Sequence, residues 1–130
     1  MPQMANIVVK DEADVDVTFE ALTPSSGGTT QAQWRADALG ATPAFAPALA
    51  TKTAYNGPRT GRQVSINGVF PETRTVGGVE DVYARMPFKV DVTVPLNIPN
   101  ARTVRNAKLI GNLVAAALIQ EIISSGYNAT

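Results

Sequence analysis

The sequence contains no cysteine and no histidine. Without cysteine there is neither a disulfide framework nor a thiolate nucleophile, a composition that suits a reducing compartment. Without histidine the commonest general base and the commonest transition-metal ligand are missing. Enzyme chemistry that depends on either residue is excluded, and composition leaves room only for alternatives such as a serine–lysine pair. Between Met1 and Met4 there is no basic region followed by an apolar core, so no secretory signal is expected, and Met4 is an alternative start. The longest apolar stretch, near the C-terminus, is interrupted by Asn112, Gln120 and Glu121 and is shorter than the roughly 20 residues that a bilayer span requires. Hydrophobic residues make up 45% and charged residues 17% of the 130 positions, the balance of one globular domain rather than of a disordered chain.

Net charge is zero, but the charges are segregated. Residues 1–20 carry Asp11, Glu12, Asp14, Asp16 and Glu20 against Lys10 alone, whereas residues 85–108 carry Arg85, Lys89, Arg102, Arg105 and Lys108 against Asp91 alone. A neutral total can therefore hide a basic surface.

Asn6–Lys10 and Val15–Phe19 are short β-rich runs flanking the acidic Asp11-Glu12-Ala13-Asp14, and they read as a hairpin. Pro24–Thr29 reads as a turn and Thr30–Arg35, with Trp34, as a third strand. Ala38–Pro47 gives no regular pattern. Leu49–Tyr55 and Arg62–Phe70 read as strands around the turn Asn56-Gly57-Pro58-Arg59-Thr60-Gly61. Pro71–Val79, with Gly77-Gly78, reads as a mobile loop. From Met86 to Val94 the alternation is clean: Phe88, Val90, Val92 and Val94 face one way and Lys89, Asp91 and Thr93 the other, as in a strand covered on one face. Pro95 and Pro99 stop it. Asn100 or Thr103 is then placed to cap a helix that Gly126 closes.

Strands first and a terminal helix last predict an α+β fold, an antiparallel meander sheet with an N-terminal hairpin and the C-terminal helix on one face. The expected layout is one domain over 1–130, with a sheet region at 1–95 and a helical region at 100–125. Plotted as a single helix, Leu109, Ile110, Leu113, Val114, Leu118, Ile119, Ile122 and Ile123 spread around the whole circumference. A helix without a wet face needs cover on two sides, and one sheet supplies one. The other side calls for a second subunit.

At Thr75-Val76-Gly77-Gly78-Val79-Glu80, followed by a strand ending Asp91-Val92-Thr93-Val94-Pro95 and by the terminal helix, the chain resembles the coat proteins of single-stranded RNA bacteriophages, the levivirus type. An N-terminal hairpin ending Asp16-Val17-Thr18 and Trp34 in the third strand extend the likeness over nearly the full length. The resemblance implies an intertwined homodimer whose helical regions cross between partners, here through Leu109, Ile110, Leu113, Val114, Leu118, Ile119 and Ile122. It implies further that dimers assemble into an icosahedral shell, with Val76, Gly77 and Gly78 in a loop near the symmetry axes. Such a protein is a virion component assembled in the cytoplasm of a bacterial host.

In this family the helix-free side of the sheet holds genomic RNA, and in some cases an operator hairpin whose binding represses translation. Carried over by strand alternation, that face takes Gln63, Ser65 and Asn67 from one strand and Lys89, Asp91 and Thr93 from the next. Thr51, Thr53 and Tyr55 come from the preceding strand, and Arg62 and Arg85 lie near strand ends. Hydroxyls and amides suit splayed bases, while the cations attract phosphate. The position where the family stacks a tyrosine on a base falls on Pro87. Arg102, Arg105 and Lys108 sit in the first turns of the helix and either meet a neighbour's acidic hairpin or stay solvated.

The acidic run Asp11–Asp16 lacks the glycine and terminal glutamate of an EF-hand loop, and residues 56–62 lack the Gly-Lys-Ser/Thr ending of a P-loop. No cofactor, metal, small-molecule substrate or catalytic residue is expected. The alternatives kept are a non-viral oligomeric binding module and a pilin- or tail-like structural subunit.

Overall fold

A computed structural model describes residues 3–26, 30–55 and 57–130. Met1 and Pro2 in the expected start region, Gly27, Gly28 and Thr29 in the expected second turn, and Asn56 in the turn expected at residues 56–61 lie outside the described residues. The chain divides into two compact units, Met1–Val94 and Pro95–Thr130.

The first unit is a six-stranded sheet in the order β1-β2-β3-β4-β5-β6, comprising β1 (Ile7–Lys10), β2 (Asp16–Thr23), β3 (Ala32–Arg35), β4 (Ala48–Tyr55), β5 (Gly61–Val76) and β6 (Val79–Pro95). The acidic run is the β1–β2 turn. Asp11 Oδ1 accepts the backbone N–H groups of Ala13 and Val15, both at 2.9 Å, so this carboxylate organises the turn. Lys10 and Asp16 pair at its base at 2.5 Å.

Cross-strand partners line up Ala21, Trp34, Leu49 and Gly68 in one row over β2 to β5. The Trp34 indole donates to the Ala5 carbonyl at 2.8 Å, and Asn6 Oδ1 accepts the Ala21 N–H at 2.9 Å, which fastens the N-terminal segment to the row. Phe88 of β6 lies over Gly68 and stacks on Phe70 at 5.6 Å between ring centres. Only glycine leaves room there, because a Cβ at position 68 would collide with the Phe88 ring. Among the described residues the buried core is small: Phe19, Ala36 and Ala46.

Pro71–Val79 is not a mobile loop. β5 runs on to Val76, β6 starts at Val79, and Gly77 and Gly78 make a two-residue turn with φ of 60° and 81°. Positive φ at both central residues is the turn whose twist matches paired strands, and glycine adopts it without strain. The side chains of Arg74 and Asp81 meet at 4.0 Å, whereas lower in the hairpin Phe70 meets Phe88. One unbroken alternation cannot satisfy both pairs, so the strands are irregular in the interval that contains Pro71 and Pro87, residues that donate no ladder hydrogen bond. Two short 3-10 turns, at Asp37–Leu39 and Pro43–Phe45, fall at the start of and within Ala38–Pro47, which was expected to be irregular.

The second unit holds two helices where one was expected: α1 (Asn100–Val114) and α2 (Ala117–Ser125), bent by 53°. Ala116, extended at ψ 142°, interrupts the helical run. Neither Asn100 nor Thr103 caps α1; Pro99 occupies the cap position and no side chain closes it. Gly126 does close α2, in the left-handed conformation. The break corrects the expectation of a helix apolar on all sides. Leu109, Ile110, Leu113 and Val114 form one stripe on α1, and Leu118, Ile119, Ile122 and Ile123 form one on α2. Only an uninterrupted helix would set the two stripes on opposite sides. Among the described residues no single helix is long and apolar enough to cross a membrane.

Candidate nucleic-acid interface

The register of β4 on β5 decides which side chains share a face, because directly paired residues point the same way. Ala50 pairs with Asn67, Lys52 with Ser65 and Ala54 with Gln63. On the same face Ser65 donates its hydroxyl to Asp91 Oδ1 at 2.7 Å, and Lys89 Nζ lies 3.4 Å from Asp91 Oδ2. Thr93 lies beside Gly61, two residues before Gln63 on β5. Gln63, Ser65, Asn67, Lys89, Asp91 and Thr93 are therefore brought together, and Lys52 joins them.

The other side of the same strands is different. Thr51 pairs with Ile66, Thr53 with Val64 and Tyr55 with Arg62. This is the face of Gly68, Phe70 and Phe88. The expected grouping of Thr51, Thr53, Tyr55 and Arg62 with Gln63, Ser65 and Asn67 is thus corrected: all four stand on the opposite, mainly apolar face. Their alternation within β4 was right, but the register across the β4–β5 turn turns Lys52 towards the polar side. Arg62 lies 5.1 Å and Arg59 6.0 Å from the Tyr55 ring centre, so the cations at this end lean on an aromatic face instead of joining the polar surface. Arg85 is exposed in the irregular part of β6, apart from the Ser65–Asp91–Lys89 group.

The polar face is thinly charged. Lys89 is held by Asp91, and Lys52 has no ion pair among the described residues. Sequence reasoning missed Lys52 because its neighbours Thr51 and Thr53 offer the hydroxyls that suit base contacts. The one available signal was that a lysine does not suit a covered face.

Elsewhere Arg35, paired with Glu20 in register, forms a charge-assisted hydrogen bond to Asp37. That bond holds the Asp37 carboxyl below the usual carboxylate range, outweighing the opposing effect of partial desolvation. Among the described residues no cluster of carboxylates could hold a metal ion.

Of the residues expected at a dimer interface, Leu109, Leu113, Val114 and Leu118 are exposed, Ile110 is at the edge of exposure, and Ile119 and Ile122 are half-buried. Neither helix contains a buried residue. Val76 is 61% exposed at the hairpin tip beside Gly77 and Gly78.

A six-stranded antiparallel meander followed by two C-terminal helices is the fold of RNA phage coat proteins. The virus-like particle of Beihai levi-like virus 21 superposes with a TM-score of 0.82 over 99% of both chains, at 18% identity. That of bacteriophage NT-214 gives 0.80 at 17% identity, covering 99% of this chain and 100% of the other. The bacteriophage GA protein capsid gives 0.69 at 22% identity over 95% of each chain. No protein-family model and no curated protein matches the sequence. The resemblance read from the sequence and the α+β meander expected from it therefore hold at the level of fold.

Proposed function

We propose that the protein is a structural coat protein, without a catalytic centre, that dimerises and assembles into an icosahedral shell around single-stranded RNA inside a bacterial host. The observation that carries this reading is the mismatch between fold and core. Among the described residues the buried hydrophobic side chains are only Phe19, Ala36 and Ala46, while Leu109, Leu113, Val114, Leu118 and Ile123 stand in water at 45% exposure or more. Folded proteins are only marginally stable even with a full core, so apolar stripes of this extent call for cover. A second copy supplies it: the stripes on α1 and α2 become the centre of a dimer interface. The likeness to shell-forming proteins over nearly the whole chain supports the step from dimer to shell.

RNA is assigned to the sheet face carrying Lys52, Gln63, Ser65, Asn67, Lys89, Asp91 and Thr93. Amides and hydroxyls there suit unpaired bases, and two lysines supply phosphate attraction. With so few cations, contacts to bases dominate recognition, which is compatible with a second role in holding an operator hairpin. Val76, Gly77 and Gly78 project at the tip of the β5–β6 hairpin, where neighbouring dimers would meet.

Expression in bacteria tests the reading. Uniform hollow-looking spheres with strong absorbance at 260 nm are expected by electron microscopy and spectroscopy. A small oligomer with a protein-like spectrum would point to a binding module, and filaments to a pilin- or tail-like subunit.

A further inference from the structure

Two groups of like charge face solvent without a partner. In the β1–β2 turn Asp11 is engaged by the turn's own N–H groups and Asp16 by Lys10. Glu12 and Asp14 are left at the tip, exposed and without an ion pair among the described residues. On α1, Arg102, Arg105 and Lys108 are exposed and equally unpaired. Spaced by three, they share one side of the helix, beside the stripe of Leu109, Ile110, Leu113 and Val114. Arg102 stands in the first turn, where the helix dipole disfavours a cation and neither an acidic residue nor a side-chain cap offsets it. An anion arriving from outside relieves both the dipole and the mutual repulsion of the three bases.

We infer that the acidic β1–β2 turn of one copy docks on the basic flank of α1 in its dimer partner, so that charge selects which chains pair. The inference rests on the dimer proposed above. RNA matches the flank by charge as well, but the flank borders the apolar stripe that a second copy covers, and a second copy brings its own Glu12 and Asp14 with it. Two-fold symmetry doubles the contact, since each chain offers both a turn and a flank. Water screens each exposed pair, so these charges act by speeding correct encounters and rejecting mismatched ones more than by adding stability.

The experiment uses two full-length variants, one carrying Glu12→Lys and Asp14→Lys, the other Arg102→Glu, Arg105→Glu and Lys108→Glu, expressed in bacteria apart and together. Assembled protein is measured by sedimentation and its chain ratio by mass spectrometry. Apart, each variant sets like charge against like, and its assembly should fall about tenfold or more. Together, every turn meets a flank of opposite sign, so assembly should return to the unaltered level with the two chains in equal amounts. Glutamates near the start of α1 suit the helix dipole, and lysine at position 14 is present in both conditions, so neither a weakened helix nor a strained turn imitates this rescue. A single chain carrying all the reversals should assemble by itself and sort away from the unaltered protein when the two are co-expressed. Undiminished assembly of either variant apart, or no rescue on mixing, would overturn the inference. So would rescue confined to the single chain with all reversals, which marks a contact within one chain. A helix variant that assembles normally but lacks absorbance at 260 nm would assign the flank to RNA and overturn it too. A folded monomer of the unaltered protein would sink the dimer and the inference together, whereas a dimer indifferent to these charges keeps the dimer and loses the inference alone.

Discussion

Lys52 and Ser65 stand directly opposite each other on β4 and β5, which places the lysine on the face of Asp91 and Lys89 and turns Arg62 away from it. A cation without a carboxylate partner gives more to phosphate attraction than one already engaged. Lys52→Ala should therefore weaken RNA retention in shells more than Lys89→Ala as salt rises, and Arg62→Ala should leave it unchanged. Release of RNA across a salt titration, followed by absorbance at 260 nm, checks the order. Equal losses from Lys52→Ala and Arg62→Ala would refute the assignment of faces.

Gly68 and Phe88 form a fitted pair, since the ring occupies the space that a side chain at 68 would take. Gly68→Ala forces the ring aside and should destabilise the protein by about 1–3 kcal/mol. Pairing it with Phe88→Ala should recover part of that cost, a coupling that a double-mutant cycle in urea measures. Strict additivity would mean that the two positions do not share this space.

Much of the sheet was legible because alternation and turn residues are local signals. The run Phe88, Val90, Val92, Val94 against Lys89, Asp91, Thr93 needs no partner strand to be read. The extension of β5 through Pro71-Glu72-Thr73 was not legible, because proline there looks like a stop and only pairing with β6 keeps the strand going. The face of Lys52 depended on register across the β4–β5 turn, a relation between strands that neither strand encodes alone. The break at Ala116 lies in a run of alanines, the strongest helix formers, so the local sequence favours continuing the helix and two stripes read as one all-round apolar helix.

The Arg35–Asp37 bond gives a pH signature. Hydrogen bonding from Arg35 lowers the Asp37 pKa in the folded chain. Its stabilisation is complete above the unfolded value of about 3.9 and is lost as pH falls through the lower folded value. The urea midpoint of the protein should therefore exceed that of Asp37→Asn at neutral pH, and the gap should close on acidification below about pH 4. A gap that stays constant with pH would show that the charge of Asp37 is not involved.

Leu113 on α1 and Leu118 on α2 are exposed in the single chain, so an aspartate at either position costs little there. In a dry interface between copies it would place an unpaired charge among apolar groups, at a cost of several kcal/mol. Leu113→Asp and Leu118→Asp are expected to abolish the soluble dimer in size-exclusion chromatography. Correctly sized dimers from both variants would remove these stripes from the interface.

The most direct test of the account is sedimentation equilibrium of the unaltered protein during dilution through the micromolar range, with far-ultraviolet circular dichroism on the same samples. A chain whose helices bury no residue of their own should sediment as a dimer or a larger assembly for as long as it stays folded, and should lose structure when it dissociates. A folded monomer at those concentrations would contradict it.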